Sequence, residues 1–258
     1  MKQMLTFTET VLRASFLAAL FLFSSCSDDD EEEDLAGTHY GMPVTVGQGT
    51  GRAWVTTNDA GVPTSVGITL SEGAVTNLGN GMRMYTLPLP AQADQTLYDH
   101  VMLDWNPEGH PPFGNYDVPH FDAHFYMLSE DEVSDIEGDV AMDEQPASQF
   151  IPPNYILTPG IVPAMGAHWI DVTDQNNAPG QFARNFLYGS LDGTFIFHEP
   201  MFTLAYLNSL KTMNSETISI PQPTAYQKSG LYPMKYSFSY NSSTKEYTIS
   251  LLELTARQ

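Results

Sequence analysis

The chain has a single cysteine, Cys26, so it can build neither an internal disulfide framework nor a thiolate-rich zinc cluster. Bases are scarce as well. Ten Lys+Arg stand against 31 Asp+Glu, a formal charge of -21, and nothing here could neutralise a run of nucleic-acid phosphates. Charged residues of both signs are only 16% of the chain while hydrophobic residues reach 42%, which excludes a disordered polyelectrolyte. The sequence has no Gly-x-Ser-x-Gly elbow, phosphate loop, dinucleotide fingerprint or His-Glu-x-x-His helix. What it has in quantity is aromatic residues, at 12%, and 18 prolines. Together these predict a folded, loop-rich and β-dominated chain.

The first residues read as an address. Lys2 and Arg13 precede a ten-residue apolar run, Ala14–Phe23, about half the length a bilayer core requires. The run fits the apolar region of a secretory signal and ends at Leu22-Phe23-Ser24-Ser25-Cys26. Small residues before a lone cysteine resemble a bacterial lipoprotein signal, which implies cleavage and lipidation at Cys26. Ser27 and seven consecutive acids, Asp28 to Asp34, then repel one another and are read as a solvated tether. This serine-plus-acids stretch resembles the surface-export signal of Bacteroidetes-type lipoproteins. The resemblance implies an outer-membrane protein held by its lipid and facing outward. The expected organisation is a signal peptide at 1–25, an acidic tether at 26–37 and one domain at 38–258. Beyond the tether, 8 Lys+Arg against 23 Asp+Glu remain, so the domain is acidic in its own right.

Strand-like segments separated by turn residues recur along the domain. They are Arg52–Thr57, Thr64–Leu70, Arg83–Leu87, His100–Trp105, His120–Leu128, Ala167–Asp171, Phe186–Ser190 and Thr194–His198. Near the C-terminus, Tyr236, Phe238 and Tyr240 alternate with polar residues, and Tyr247, Ile249 and Leu251 do so on the return, which predicts a hairpin. Helix signals are few. Ser129 with Glu132 reads as a capping box, and Thr203–Leu210 is a second short candidate. The proline-rich stretch 143–163 is expected to be largely irregular. The fold class is therefore mainly β, an antiparallel sandwich or barrel with one or two short helices.

Chemistry concentrates between Asp104 and Tyr126, where three of the seven histidines fall within 15 residues. From position 120 the pattern alternates: His120, Asp122, His124 and Tyr126 share one face of a strand, and Phe121, Ala123, Phe125 and Met127 the other. His168 lies on a second predicted strand, and His198 and Glu199 end a third. Neutral imidazoles with a carboxylate suit a divalent transition metal such as Zn, Mn or Fe. The expected ligands are His120, His124, His168 and Glu199, with His110, Asp171 and His198 as further candidates. Tyr126 or Asp122 is the expected proton donor or acceptor. Strand geometry resists this set, because residues four apart are about 13 Å apart along a regular strand. A bulge or bend is needed to bring His120 and His124 to one ion. The competing readings are a satisfied His–Asp hydrogen-bond network and an ordinary solvated strand face.

The run Asp104-Trp105-Asn106-Pro107, Gly109-His110, Pro119-His120-Phe121-Asp122-x-His124-Phe125-Tyr126, Gly166-x-His168-Trp169-x-Asp171 and Glu199-Pro200-Met201-x-Thr203 resembles a bacterial family of uncharacterised domains. One member is a thermophile protein under extracytoplasmic sigma-factor control. The resemblance spans roughly residues 85–210 and implies no activity. Two functional readings follow: a surface-anchored metalloprotein, or a non-catalytic lipoprotein that binds a ligand or partner. A small-molecule ligand and homo-oligomerisation are both compatible with this composition.

Overall fold

The computed structural model describes residues 35–138 and 144–258. The signal segment, Cys26, the acidic run and Asp143 lie outside the described residues. The chain starts in one sheet, crosses to a second, and returns to the first. Gly37–Tyr40 (β1), Val44–Val46 (β2), Gly49–Thr57 (β3) and Pro63–Ser71 (β4) belong to the first sheet. The second sheet takes the next seven strands. They are Arg83–Pro88 (β5), His100–Asn106 (β6), His120–Tyr126 (β7), Tyr155–Leu157 (β8), Ala167–Asp171 (β9), Arg184–Leu191 (β10) and Thr194–Thr203 (β11). Among the described residues two α-helices occur, α1 (Glu130–Ser134) between β7 and β8 and α2 (Leu204–Met213) after β11. Ser215–Ser219 (β12), Lys235–Asn241 (β14) and Glu246–Leu252 (β15) complete the first sheet, while Gly230–Tyr232 (β13) and Thr255–Arg257 (β16) pair with each other.

The first sheet runs β1-β3-β4-β15-β14-β12, with β2 also on β3; the second runs β5-β6-β7-β11-β10-β9-β8. Both are antiparallel and neither closes into a barrel, so of the two expected architectures the sandwich is the one formed. One core joins them. Ile68, Leu70, Phe238, Ile249 and Leu251 of the first sheet share a cluster with Val101, Leu103, Phe121, Phe125 and Phe202 of the second. Burying each such side chain stabilises the fold by about 1.5–3 kcal/mol.

Local signals are answered closely. The Ser129 hydroxyl accepts from the Glu132 backbone N–H, and the Ser129 backbone N–H donates to the Glu132 carboxylate, so the capping box is complete. The β10–β11 turn is two residues long, and Asp192 and Gly193 both take positive φ, 48° and 72°, as a right-twisted hairpin requires. β14 and β15 pair along their whole length. The stretch 144–163 contains a short 3-10 turn, Ser148–Phe150, the three-residue β8 and one isolated bridge, Val162 to Gly166, and is otherwise irregular. At the other end, β1 begins at Gly37, paired with Thr57, so the last residue assigned to the tether is part of the sheet. The described residues belong to one compact unit, and no helix among them is long and apolar enough to cross a membrane.

Candidate metal centre

β7 lies in the interior of the second sheet, between β6 and β11, and its alternation is realised in register. Phe121, Ala123 and Phe125 enter the core between the sheets. His120, Asp122 and His124 point to the opposite face, yet all three are buried. Two loops cover that face, one between β6 and β7 and one between β8 and β9. They enclose a cavity of about 420 Å³.

Two groups of donor atoms meet below it. His110, His120 and Asp122 form one, and His124, His168 and Glu199 the other; within each, one ligand atom per residue lies within 4.8 Å of the rest. In the first, Asp122 carboxylate oxygens sit 3.2 Å from His120 Nε2 and 3.2 Å from His110 Nε2. In the second, Glu199 oxygens sit 3.5 Å from His124 Nε2 and 3.6 Å from His168 Nε2. A tetrahedral ion with donors at about 2.0–2.2 Å spaces them about 3.3–3.6 Å apart. The two Glu199 separations match that spacing and exceed the length of a good hydrogen bond, whereas the two Asp122 separations are within it, and His110 Nε2 is hydrogen-bonded to Asp122 Oδ2.

The ring orientations are set from behind. A carbonyl can only accept, so His120 Nδ1–H donates to Val118 (2.6 Å) and His110 Nδ1–H to Pro111 (2.7 Å). In a neutral ring each contact leaves the Nε2 lone pair aimed at Asp122. The His168 ring donates to the Gly166 backbone carbonyl. His124 Nδ1 lies 3.3 Å from Asp104 Oδ2, close but poorly aligned for a hydrogen bond. Asp122 is further held by Asn106, whose side-chain N–H donates at 2.7 Å.

Polar satisfaction is incomplete in one place above all. Among the described residues, His120 Nε2, Asp122 Oδ1, both ring nitrogens of His124, Glu199 Oε2 and both Asp104 oxygens are buried without a hydrogen-bond partner. Such groups cost about 1–3 kcal/mol each in a folded protein, and more when charged, so their concentration at one spot calls for a ligand. The donor set therefore fits a divalent ion. Burial raises the Glu199 carboxyl above its usual range, an effect His124 opposes. Burial also works against charge on His124 and His110, but neighbouring carboxylates outweigh it, chiefly Glu199 for His124 and Asp122 for His110, and both rise to about 9. Burial and the nearby His124 push His168 down to about 3.

Several sequence expectations change here. β7 pairs with β6 without a bulge, so the bend that would bring His120 and His124 to one ion is absent. Strand spacing prevails, and the two histidines serve separate groups. His110 joins the first group from its loop. His198 faces the inter-sheet core, where its Nδ1 meets the Tyr98 hydroxyl at 2.6 Å, because it alternates with Glu199. Asp171 shares a face with core residue Trp169, and its carboxylate accepts from Thr173 instead. Tyr126 stacks on His124 and its buried hydroxyl donates to the Met165 carbonyl at 3.3 Å. Burial, with Asp104 and Glu199, holds that phenol well above its usual pKa, so it keeps its proton.

Other residues at the centre had weaker signals. Asp104 and Asn106 alternate with core residues Leu103 and Trp105 on β6, and Asp104 pairs in register with Asp122. That period of two was readable. Gly189 was not: it pairs with both His168 and Phe197, and a Cβ there would fall 1.9 Å from the Phe197 ring. That ring fills the space beside Gly189 and packs on His124 (4.9 Å) and His168 (5.2 Å).

Residues 58–105 match the TTHB210-like family, described as hypothetical protein TTHB210. The match reaches Asp104 and Trp105 and stops before every histidine of the two groups. No curated protein and no solved structure matches the chain.

Proposed function

We propose that this chain is a lipid-anchored envelope protein whose domain holds divalent metal at two adjacent His/His/carboxylate sites beneath a ligand cavity. The convergence of buried donor atoms lacking hydrogen-bond partners carries the metal reading. His124, His168 and Glu199 would hold one ion, and His110, His120 and Asp122 the other. Three protein donors per site is the count found in catalytic zinc centres. A bound ion supplies a Lewis acid that polarises an oxygen ligand or lowers the pKa of bound water. The chain's own part is to orient the rings through Asp104, Val118, Pro111 and Gly166, and to keep bulk water from the floor with the two loops. The Tyr126 and Asp122 roles in proton transfer give way to positioning: Tyr126 packs on His124, and Asp122 is a ligand. Support for the anchor is the apolar run, Cys26 and the acids that follow. On this reading the protein sits at the outer membrane, facing outward.

Elemental analysis of untagged protein tests the metal reading. About two equivalents of Zn, Mn or Fe are expected. His124→Ala should lose one and His120→Ala the other. Less than a tenth of an equivalent after incubation with each metal would leave a buried His–carboxylate network and the non-catalytic alternative. Labelling with radioactive palmitate tests the anchor, and Cys26→Ala should abolish incorporation.

A further inference from the structure

The cavity has two unlike ends. Its floor presents Asp104, Asp122, His168 and Glu199, and its walls are apolar: Met82, Pro112, Val162, Met165, Ile170 and Leu187. The mouth is apolar too, since Met82 is 66% exposed and Val162 42%, and both line the opening. A volume of about 420 Å³ lies low in the range of about 300–1,000 Å³ typical of small-molecule sites. Among the described residues no Lys or Arg lines it, so an anion there must be met by bound ions or by the imidazoles of the donor groups, His110 and His168.

Charge then selects the head of the ligand. With both proposed ions in place, four positive charges meet the three carboxylates of Asp104, Asp122 and Glu199. One positive charge is left in a buried setting, where an uncompensated charge is costly. A monoanionic oxygen head would neutralise it, while the apolar walls would take the body of the same molecule. We infer that the cavity binds a small apolar monocarboxylic acid, its carboxylate directed at the metal floor and its hydrocarbon part along the 158–166 loop. This rests on the metal reading and deepens it.

Calorimetric titration of the intact protein, Zn-loaded and chelator-stripped, tests the inference with octanoate as probe and octan-1-ol, octylamine and butyrate as controls. Octanoate should bind the loaded protein saturably and at least tenfold tighter than it binds the stripped form. Shortening the chain should weaken binding by about tenfold for every two methylenes removed, and octan-1-ol and octylamine should bind at least tenfold more weakly than octanoate. Val162→Glu, at the rim and outside both ligand sets, should weaken octanoate at least tenfold with metal content unchanged, and Val162→Leu should restore it. Equal binding of acid and alcohol, equal binding by loaded and stripped protein, or no saturable binding by protein shown to contain metal would overturn the inference. That last result would leave the metal reading intact, whereas absence of metal in elemental analysis would remove both.

Discussion

Asp104 shows how much a single buried side chain contributes without being a ligand. It stands behind His124, and burial raises its pKa against the opposing pull of that histidine. Partners of this kind are worth about 10–100-fold in metal affinity. Asp104→Asn should therefore weaken the His124 ion by that factor in a chelator competition, while stoichiometry at saturating metal stays unchanged. His198 gives a residue-scale statement about stability. Burial pushes it down to about 3, so it is neutral, and its Nδ1 shares a hydrogen bond with the Tyr98 hydroxyl, whose own pKa burial raises. Between pH 3 and about 6.5 the unfolded chain binds a proton there that the folded chain does not. Stability must then rise with pH across this window, be fully present above it, and fall on acidification, by at most about 1.4 kcal/mol per pH unit for this one group. Replacing His198 and Tyr98 together by Phe should flatten the acid limb of the Tm–pH curve; an unchanged slope would refute the assignment.

At the scale of elements, the two donor groups depend on different backbone devices. Gly109 has φ +73°, and a Cβ there would lie 1.9 Å from the Tyr116 carbonyl oxygen. The same loop carries His110, whose backbone N–H donates to Tyr116 at 3.2 Å. Gly109→Ala should disturb the His110 group and spare the other. Gly189→Ala should do the reverse, since it displaces Phe197 from between His124 and His168; overpacking of this sort typically costs about 1–3 kcal/mol. Metal counts and Tm on the two variants would separate these effects. Sequence legibility divides along the same line. The alternation from His120 to Tyr126 and the completed capping box were readable because each is set by neighbours a few residues away. The division of His120 and His124 between two sites followed from strand spacing, but only the unbulged β6–β7 register decided it.

For the whole molecule, metal binding and folding are coupled. Buried carboxylates and imidazoles without partners weigh against the folded state, and a ligand specific to that state stabilises it by about 2.7 kcal/mol at one hundred times its Kd. For a domain of this size, each kcal/mol is worth about 2–4 °C in Tm. With both sites filled at that excess, about 5.4 kcal/mol in total, zinc should raise Tm by about 11–22 °C over chelator-treated protein in a thermal scan, and the shift should be lost in the double variant His120→Ala, His124→Ala.

The mainly-β antiparallel class, the strand faces and the candidate donor types are local or periodic properties, and the order of residues determined them, while the choice of sandwich over barrel waited on the sheets. Which donors meet was decided by the tertiary structure alone. His168 and Glu199 are 31 positions apart and reach one another only because β9, β10 and β11 lie side by side. His198 and Glu199, adjacent in the chain, are sent to opposite faces by the pleat. Covalent order fixes how a side chain alternates along its own strand; sheet order, strand register and a glycine that admits a ring choose its partners across the fold.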